Sequence, residues 1–206
     1  MIGVLEYSAG NLKSVENALT RLGIPFFIST DPQKLAEADK ILFPGVGHAT
    51  SCMASLRERK LDTFLQKTSQ PIVAICVGMQ LLFDFSEEGV TECLGILQGT
   101  VRQFDDRKVG IIPHTGWNTV SFLSDTTTEA EKDEDFYFVH SYYCDPKEKE
   151  NIFATTNYNG HIFCSSVQKG NILGVQFHPE KSGKAGEALL KKILLENFAE
   201  ISLSKK

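Results

Sequence analysis

The chain has 206 residues, 42% of them hydrophobic, and a formal charge of -5, which suits one globular domain over residues 1–206 and excludes a general electrostatic attraction to nucleic acid. No apolar run reaches membrane-spanning length, so no membrane partner is expected, and the opening "MIGVLEYSAG" lacks the basic region of a secretory signal, which predicts a cytoplasmic protein. Five cysteines without a C-x-x-C pair argue against both a disulfide framework and a zinc site; Cys52, Cys93, Cys144 and Cys164 read as structural, and no metal is expected.

The first half alternates strand and helix signals at βαβ spacing, predicting an open, mainly parallel sheet flanked by helices. Strands are expected at Ile2 to Glu6, Phe26 to Ser29, Ile41 to Phe43 and Pro71 to Ile75. Helical stretches lie between them at "SVENALTRLG", "PQKLAEAD" and "HATSCMASLRERKLDTFLQKT", with Ser14 able to cap the first and Gly23 able to end it. The third strand runs into "LFPGVGHA", which has neither the Lys-Ser/Thr of a Walker loop nor G-x-G-x-x-G. A turn aiming backbone N–H groups at a developing oxyanion explains its glycines, and a plain β-α turn explains them equally well.

In "PIVAICVGMQLLF", Cys76 stands where the strand meets an apolar helical pattern. Such a joint exposes its side chain at the end of the sheet, beside the free N–H groups of the first helical turn, which favour a thiolate. The helix must pass close to the strand it has just left, which calls for Gly78 and for a small residue such as Ala74. From this segment alone, a buried cysteine in an ordinary crossover is the plainer reading.

After Gly89 the pattern turns to short strands, "GILQGTVRQF", "FYFVHSYY" and "NIFATTNYNGHIFCSSVQKGNILGVQF", predicting antiparallel additions to the sheet or a small second one. Asn159-Gly160 is a hairpin signal and Lys169-Gly170-Asn171 a second turn. The acidic run Ser124 to Asp135 reads as an exposed loop. In "GVQFHPEKS", His178 and Glu180 are two apart and project to one side of an extended segment, so Glu180 can hold the ring while its other nitrogen faces a thiol. His-x-Glu without a second histidine at helical spacing is a poor metal site. His48, His114, His140 and His161 fall in different segments, and none is assigned to proton transfer. The last helix, "KAGEALLKKILLENFAEI", should pack Leu189, Leu190, Ile193, Leu194 and Phe198 on the core.

Pro44-Gly45-Val46-Gly47, Ala74 to Gln80 and His178-Pro179-Glu180 together resemble the P-G-x-G, G-x-C-x-G-x-Q and H-P-E signature of the class I glutamine amidotransferases. Within that class, "YSAGNLKSVENAL", "PHTGWN" and "FYFVHSYY" are similar to segments of the glutaminase subunits of imidazole glycerol phosphate synthases. The resemblance implies a flavodoxin-like fold, no cofactor, and a Cys76-His178-Glu180 triad that hydrolyses glutamine to glutamate and ammonia. It implies an oxyanion site at the Val77 N–H and the Val46-Gly47 turn, and a glutamine site at Gln80, Ser141 and Tyr142. It also implies a heterodimer with a (β/α)8-barrel cyclase that receives the ammonia in histidine biosynthesis, contacted through Asn11, Trp117 and Lys181. Trp117, the only tryptophan, sits in a glycine-flanked segment read as a loop suited to an interface anchor. Ala74, Ser8 and Thr115 depart from the family pattern. Similar pairs serve surface-sugar amidination, so two pathways stay open, as does a non-catalytic, partner-binding module that kept the fold.

Overall fold

The computed structural model describes residues 1–7, 12–123 and 134–198. Four parallel strands build the N-terminal half: β1 (Ile2–Leu5), β2 (Phe26–Ser29), β3 (Lys40–Gly45) and β4 (Ile72–Cys76). Their linkers carry α1 (Leu12–Arg21), α2 (Pro32–Leu35), α3 (Ala49–Glu58) and α4 (Leu61–Lys67), and α5 (Val77–Leu81) follows β4 at once. Beyond it come β5 (Phe85–Ser86), β6 (Thr91–Glu92), β7 (Gly99–Gln103), the short α6 (Asp106–Val109), β8 (His114–Phe122) and β9 (Glu134–His140). The chain continues through β10 (Tyr142–Pro146), β11 (Ile152–Tyr158), β12 (His161–Lys169) and β13 (Ile172–Val175) to α7 (Gly183–Leu195).

The sheet runs β2-β1-β3-β4-β13-β12-β10-β7-β5-β6, with β11 pairing β12 and β8, and β9 pairing β8. Strands β1, β3 and β4 are buried along their length, as parallel strands covered on both faces require, while β2, at the end of the sheet, is half-buried up to Ser29. The antiparallel additions are present, but β13 differs: it lies parallel to β4, pairing Val175 with Ile75, and antiparallel to β12. This brings the chain that follows β13 to the same sheet end as Cys76. Among the described residues, no helix is long and apolar enough to cross a membrane.

Several local expectations hold for identifiable reasons. Gly23, at φ 64°, ends α1: its N–H donates to the Thr20 carbonyl and that of Ile24 to the Leu19 carbonyl, satisfying the last turn. Asn159 and Gly160, both at positive φ, make the two-residue turn joining β11 and β12. Leu190, Ile193 and Leu194 of α7 are buried, with Leu189 packed beside them; Phe198 is buried too, but beyond the end of α7 and not on its face as expected.

Others are corrected. Helix α1 begins at Leu12, so Ser14 lies inside it and is not its cap residue. The long third helical stretch breaks at Lys60, which adopts φ 58° between α3 and α4. The step from Leu56 to Leu61 is out of helical period, and the break lets Leu61 and Leu65 face the core as well. "PHTGWN" is not a loop: His114 to Asn118 form the start of β8. Of the acidic run, residues 124–133 lie outside the described residues, and Glu134 and Asp135 already belong to β9.

The need for Gly78 is met by a different neighbour from the one anticipated. A Cβ there would lie 2.1 Å from the Phe43 carbonyl oxygen, so the close approach is to β3, next to β4, and not to the strand just left. Backbone this near leaves no room to yield. Gly78→Ala would normally favour a helix by somewhat under ~1 kcal/mol; here the clash should reverse the sign and cost ~1–3 kcal/mol. Urea unfolding of the two proteins checks this, a shift of midpoint to lower urea being the expected result.

Candidate active site

Cys76 ends β4 and opens α5 with φ 54° and ψ -114°, a conformation that a residue with a side chain rarely adopts. Such a position costs about 1–3 kcal/mol and persists only when its surroundings impose it. Here β3 pairs Gly45 with Cys76 on one side, and β13 on the other side places Gln176 next to it. The strained turn pushes the thiol out at the carboxyl end of the parallel strands, where open α/β sheets form their crevices.

His178 follows β13 at the same end, its backbone N–H donating to the Tyr137 carbonyl of β9. Pro179–Lys181 form a 3-10 turn and not the extended segment expected, and it is this turn that folds Glu180 back to the ring: His178 Nδ1 is 2.8 Å from Glu180 Oε1, and both side chains are almost fully buried. The carboxylate can only accept, so Nδ1 carries a proton. Nε2 is buried without a hydrogen bond of ordinary geometry, and Cys76 is the group acting most strongly in its favour as a cation. Burial pulls the His178 pKa down, but the thiolate charge of Cys76 and its hydrogen bonding, followed by Glu180, outweigh it and raise the value to about 10. The three side chains anticipated as a triad are thus brought together, with Glu180 and Cys76 acting on the ring from its two sides.

Gln80, buried in α5, donates from Nε2 to the Tyr142 carbonyl at 3.0 Å and to Gln176 Oε1 at 3.0 Å. Gln176 in turn donates from Nε2 toward Cys76 Sγ at 3.7 Å. Tyr142 therefore lies beside Gln80, while Ser141 precedes it with its carbonyl bonded to the Phe104 N–H. Gln176 was not singled out in the sequence. The signal was there: a polar residue at the end of an apolar run, two before His178 and so on the same side of an extended chain.

Val77, just after Cys76, is buried, and Gly47 adopts φ 111°, a region that favours glycine. The Val46 carbonyl accepts from Cys52 Sγ at 3.7 Å, so across the trans peptide the Gly47 N–H points the opposite way, away from α3. Of the anticipated interface residues, Asn11 lies outside the described residues. Trp117 is 58% exposed on β8 against Tyr137 of β9, ring centroids 6.3 Å apart. Lys181 ends the short 3-10 turn after His178, and β9 ties into that turn again through the Tyr137 N–H, which donates to Ser182 Oγ. Trp117 and Lys181 thus sit on elements joined by β9.

Residues 4–197 match the family "Glutamine amidotransferase class-I". The chain belongs to the class-I glutamine amidotransferases. It is 46% identical to the imidazole glycerol phosphate synthase subunit HisH of Bacteroides fragilis over 94% of this chain and 98% of that one. The HisH subunit of Dehalococcoides mccartyi is 45% identical over the full length of both. A solved glutamine amidotransferase superposes with a TM-score of 0.70 at 20% identity, covering 94% of this chain and 96% of that one. PurLQS from Thermotoga maritima gives 0.68 at 20%, with the same coverage. These two structural likenesses concern the fold.

In this glutamine amidotransferase the charge state of His178 is open to direct test. Imidazole NMR should find the ring protonated through neutral pH, with its proton lost near pH 10 as the raised value requires. Cys76→Ala removes the leading source of the upward shift but leaves the burial that opposes it, so the midpoint should fall. A midpoint unmoved by that substitution would mean that the thiol does not charge the ring.

Proposed function

We propose that this chain is the glutaminase subunit of an imidazole glycerol phosphate synthase. The observation that carries the reading is the buried Cys76, His178 and Glu180 set in a chain 45% identical, end to end, to a HisH subunit. Cys76 Sγ attacks the side-chain carbonyl carbon of glutamine. The carbonyl electrons move onto oxygen, held by the Val77 N–H and an N–H of the Val46-Gly47 turn. As the tetrahedral species collapses, the C–N bond breaks and His178 Nε2–H protonates the leaving nitrogen, releasing ammonia and leaving a thioester on Cys76. The now neutral His178 takes a proton from water as the water oxygen attacks the thioester; the C–S bond breaks, glutamate leaves and the thiolate–imidazolium pair is restored. Glu180 keeps the ring in the tautomer both steps need. Gln80, with the Ser141-Tyr142 backbone, forms the floor on which glutamine lies.

The HisH relatives favour histidine biosynthesis over a surface-sugar pathway, and a retained triad favours catalysis over a bare binding module. The partner is a (β/α)8-barrel cyclase that receives the ammonia, docked on the face carrying Trp117 and Lys181. In the assembled complex, Cys76→Ala should lower glutamate release by about ten-thousandfold or more, since triad members act as a unit. Turnover with added ammonium should persist. Near wild-type glutamate release by the variant would sink the assignment.

Trp117 separates a subunit from a free-standing glutaminase. Because its ring is exposed, Trp117→Ala should leave the melting temperature of the isolated chain nearly unchanged. It should weaken association with the barrel by ~2 kcal/mol or more, the size of an interface hot spot. One thermal melt and one titration with the partner check both.

A further inference from the structure

His114 and His140, distant in sequence, meet because β8 and β9 pair in a register that sets them directly opposite each other. Their rings form the middle of a buried hydrogen-bonded chain. His140 Nδ1 is 2.7 Å from the Tyr142 carbonyl, His140 Nε2 is 2.9 Å from His114 Nδ1, and His114 Nε2 is 3.1 Å from Asn118 Nδ2. The Asn118 amide is anchored independently, donating to the Asn157 carbonyl at 3.0 Å and accepting from the Thr119 N–H at 2.8 Å.

The proton positions follow by elimination. A carbonyl only accepts, so His140 Nδ1 is the donor. Both rings are neutral: burial pushes His114 down to about 4, and burial, against the opposing Tyr142 hydrogen bond and helped electrostatically by His114 and His178, pushes His140 down to about 3. A neutral His140 with a proton on Nδ1 has a bare Nε2, so His114 Nδ1 must donate to it. His114 Nε2 is then bare and accepts from Asn118, the donor end of an amide already oriented. Every bond runs one way, from Asn118 to the Tyr142 carbonyl.

That carbonyl also accepts from Gln80, whose amide donates on to Gln176, whose amide in turn points at Cys76 Sγ. Rings fill the space around the pair: His114 is stacked between Phe138 at 4.7 Å and Tyr158 at 4.1 Å, and Phe104 and Phe163 pack against His140. Asn118 is next to Trp117 on β8, so the ordered chain begins beside the exposed ring and ends at the Tyr142 carbonyl, which the two amides link to the thiol.

The geometry points to His114 and His140 as positioning residues, a proton-ordered pair that fixes the Tyr142 carbonyl and through it the Gln80–Gln176 amides and the strand end on which glutamine lies. This rests on the glutaminase reading of the site. A merely structural role would require only that the two rings fill the core, whichever nitrogen carries the proton.

Nitrogen-15 NMR of the imidazoles in the wild-type chain tests the order without any substitution. Both rings should be neutral at pH 7 with the proton on Nδ1; a proton on Nε2 of either ring, or a cationic ring, overturns the proposal. Glutamate release by the barrel complex tests the consequence. His140→Phe should raise KM for glutamine about tenfold, the effect of losing one hydrogen bond, with kcat changed by less than about threefold. His140→Gln, whose amide can donate to Tyr142 and accept from His114, should recover most of the loss. A working wild-type complex with KM unchanged in His140→Phe, or raised equally in both variants, overturns the positioning role alone. A wild-type complex that releases no glutamate overturns the glutaminase reading and this role with it.

Discussion

The parallel pairing of β4 with β13 is the contact on which the site depends. Cys76 and His178 come from segments 102 residues apart, and each is the product of its own strand ending. With Ile75 set opposite Val175, the next residues, Cys76 and Gln176, leave the sheet side by side, and His178 follows within reach. Because side chains alternate along an extended chain, a slip of one residue would turn Gln176 and His178 to the other face. The burial of β4 and β13 on both faces makes such a slip costly, since every apolar side chain along them would lose its place.

A second constraint holds the thiol in its strained turn. Cys76 cannot relax unless α5 moves, and α5 is held against β3 by the Gly78 contact with Phe43, a wholly buried aromatic residue. Core packing at interior density transmits this rigidity, and the cost of the strained cysteine is offset by burial elsewhere. Gly45 shares the arrangement: a Cβ there would lie 2.5 Å from the Gly78 nitrogen. The two glycines let strand and helix backbones meet where Cys76 stands.

Three buried histidines show how environment sets the use of one side chain. His178 has anionic partners on both sides and is held as a cation, although burial works against it. His114 and His140 bond each other, a carbonyl and an amide, and there burial prevails and both are neutral. The first ring suits proton transfer; the others suit the fixing of direction in a hydrogen-bonded chain. The β8–β9 ribbon connects the two, because β9 carries His140 inside and offers the Tyr137 carbonyl to the His178 N–H.

Much of this was legible in the sequence. The βαβ rhythm, the cysteine at a strand-to-helix joint, the i, i+2 pairing of His178 with Glu180 and the Asn159-Gly160 turn are local patterns, set by neighbours a few residues apart and by the periods of helix and strand. Those periods do not encode which distant strands pair, in what direction or in what register. The insertion of β13 parallel to β4, the approach of Gly78 to β3, the placing of Trp117 on a strand, and the meetings of Gln176 with Cys76 and of His114 with His140 all depend on that choice. Tertiary structure decided them, because only the burial of the whole sheet selects one pairing among the many that the local patterns allow.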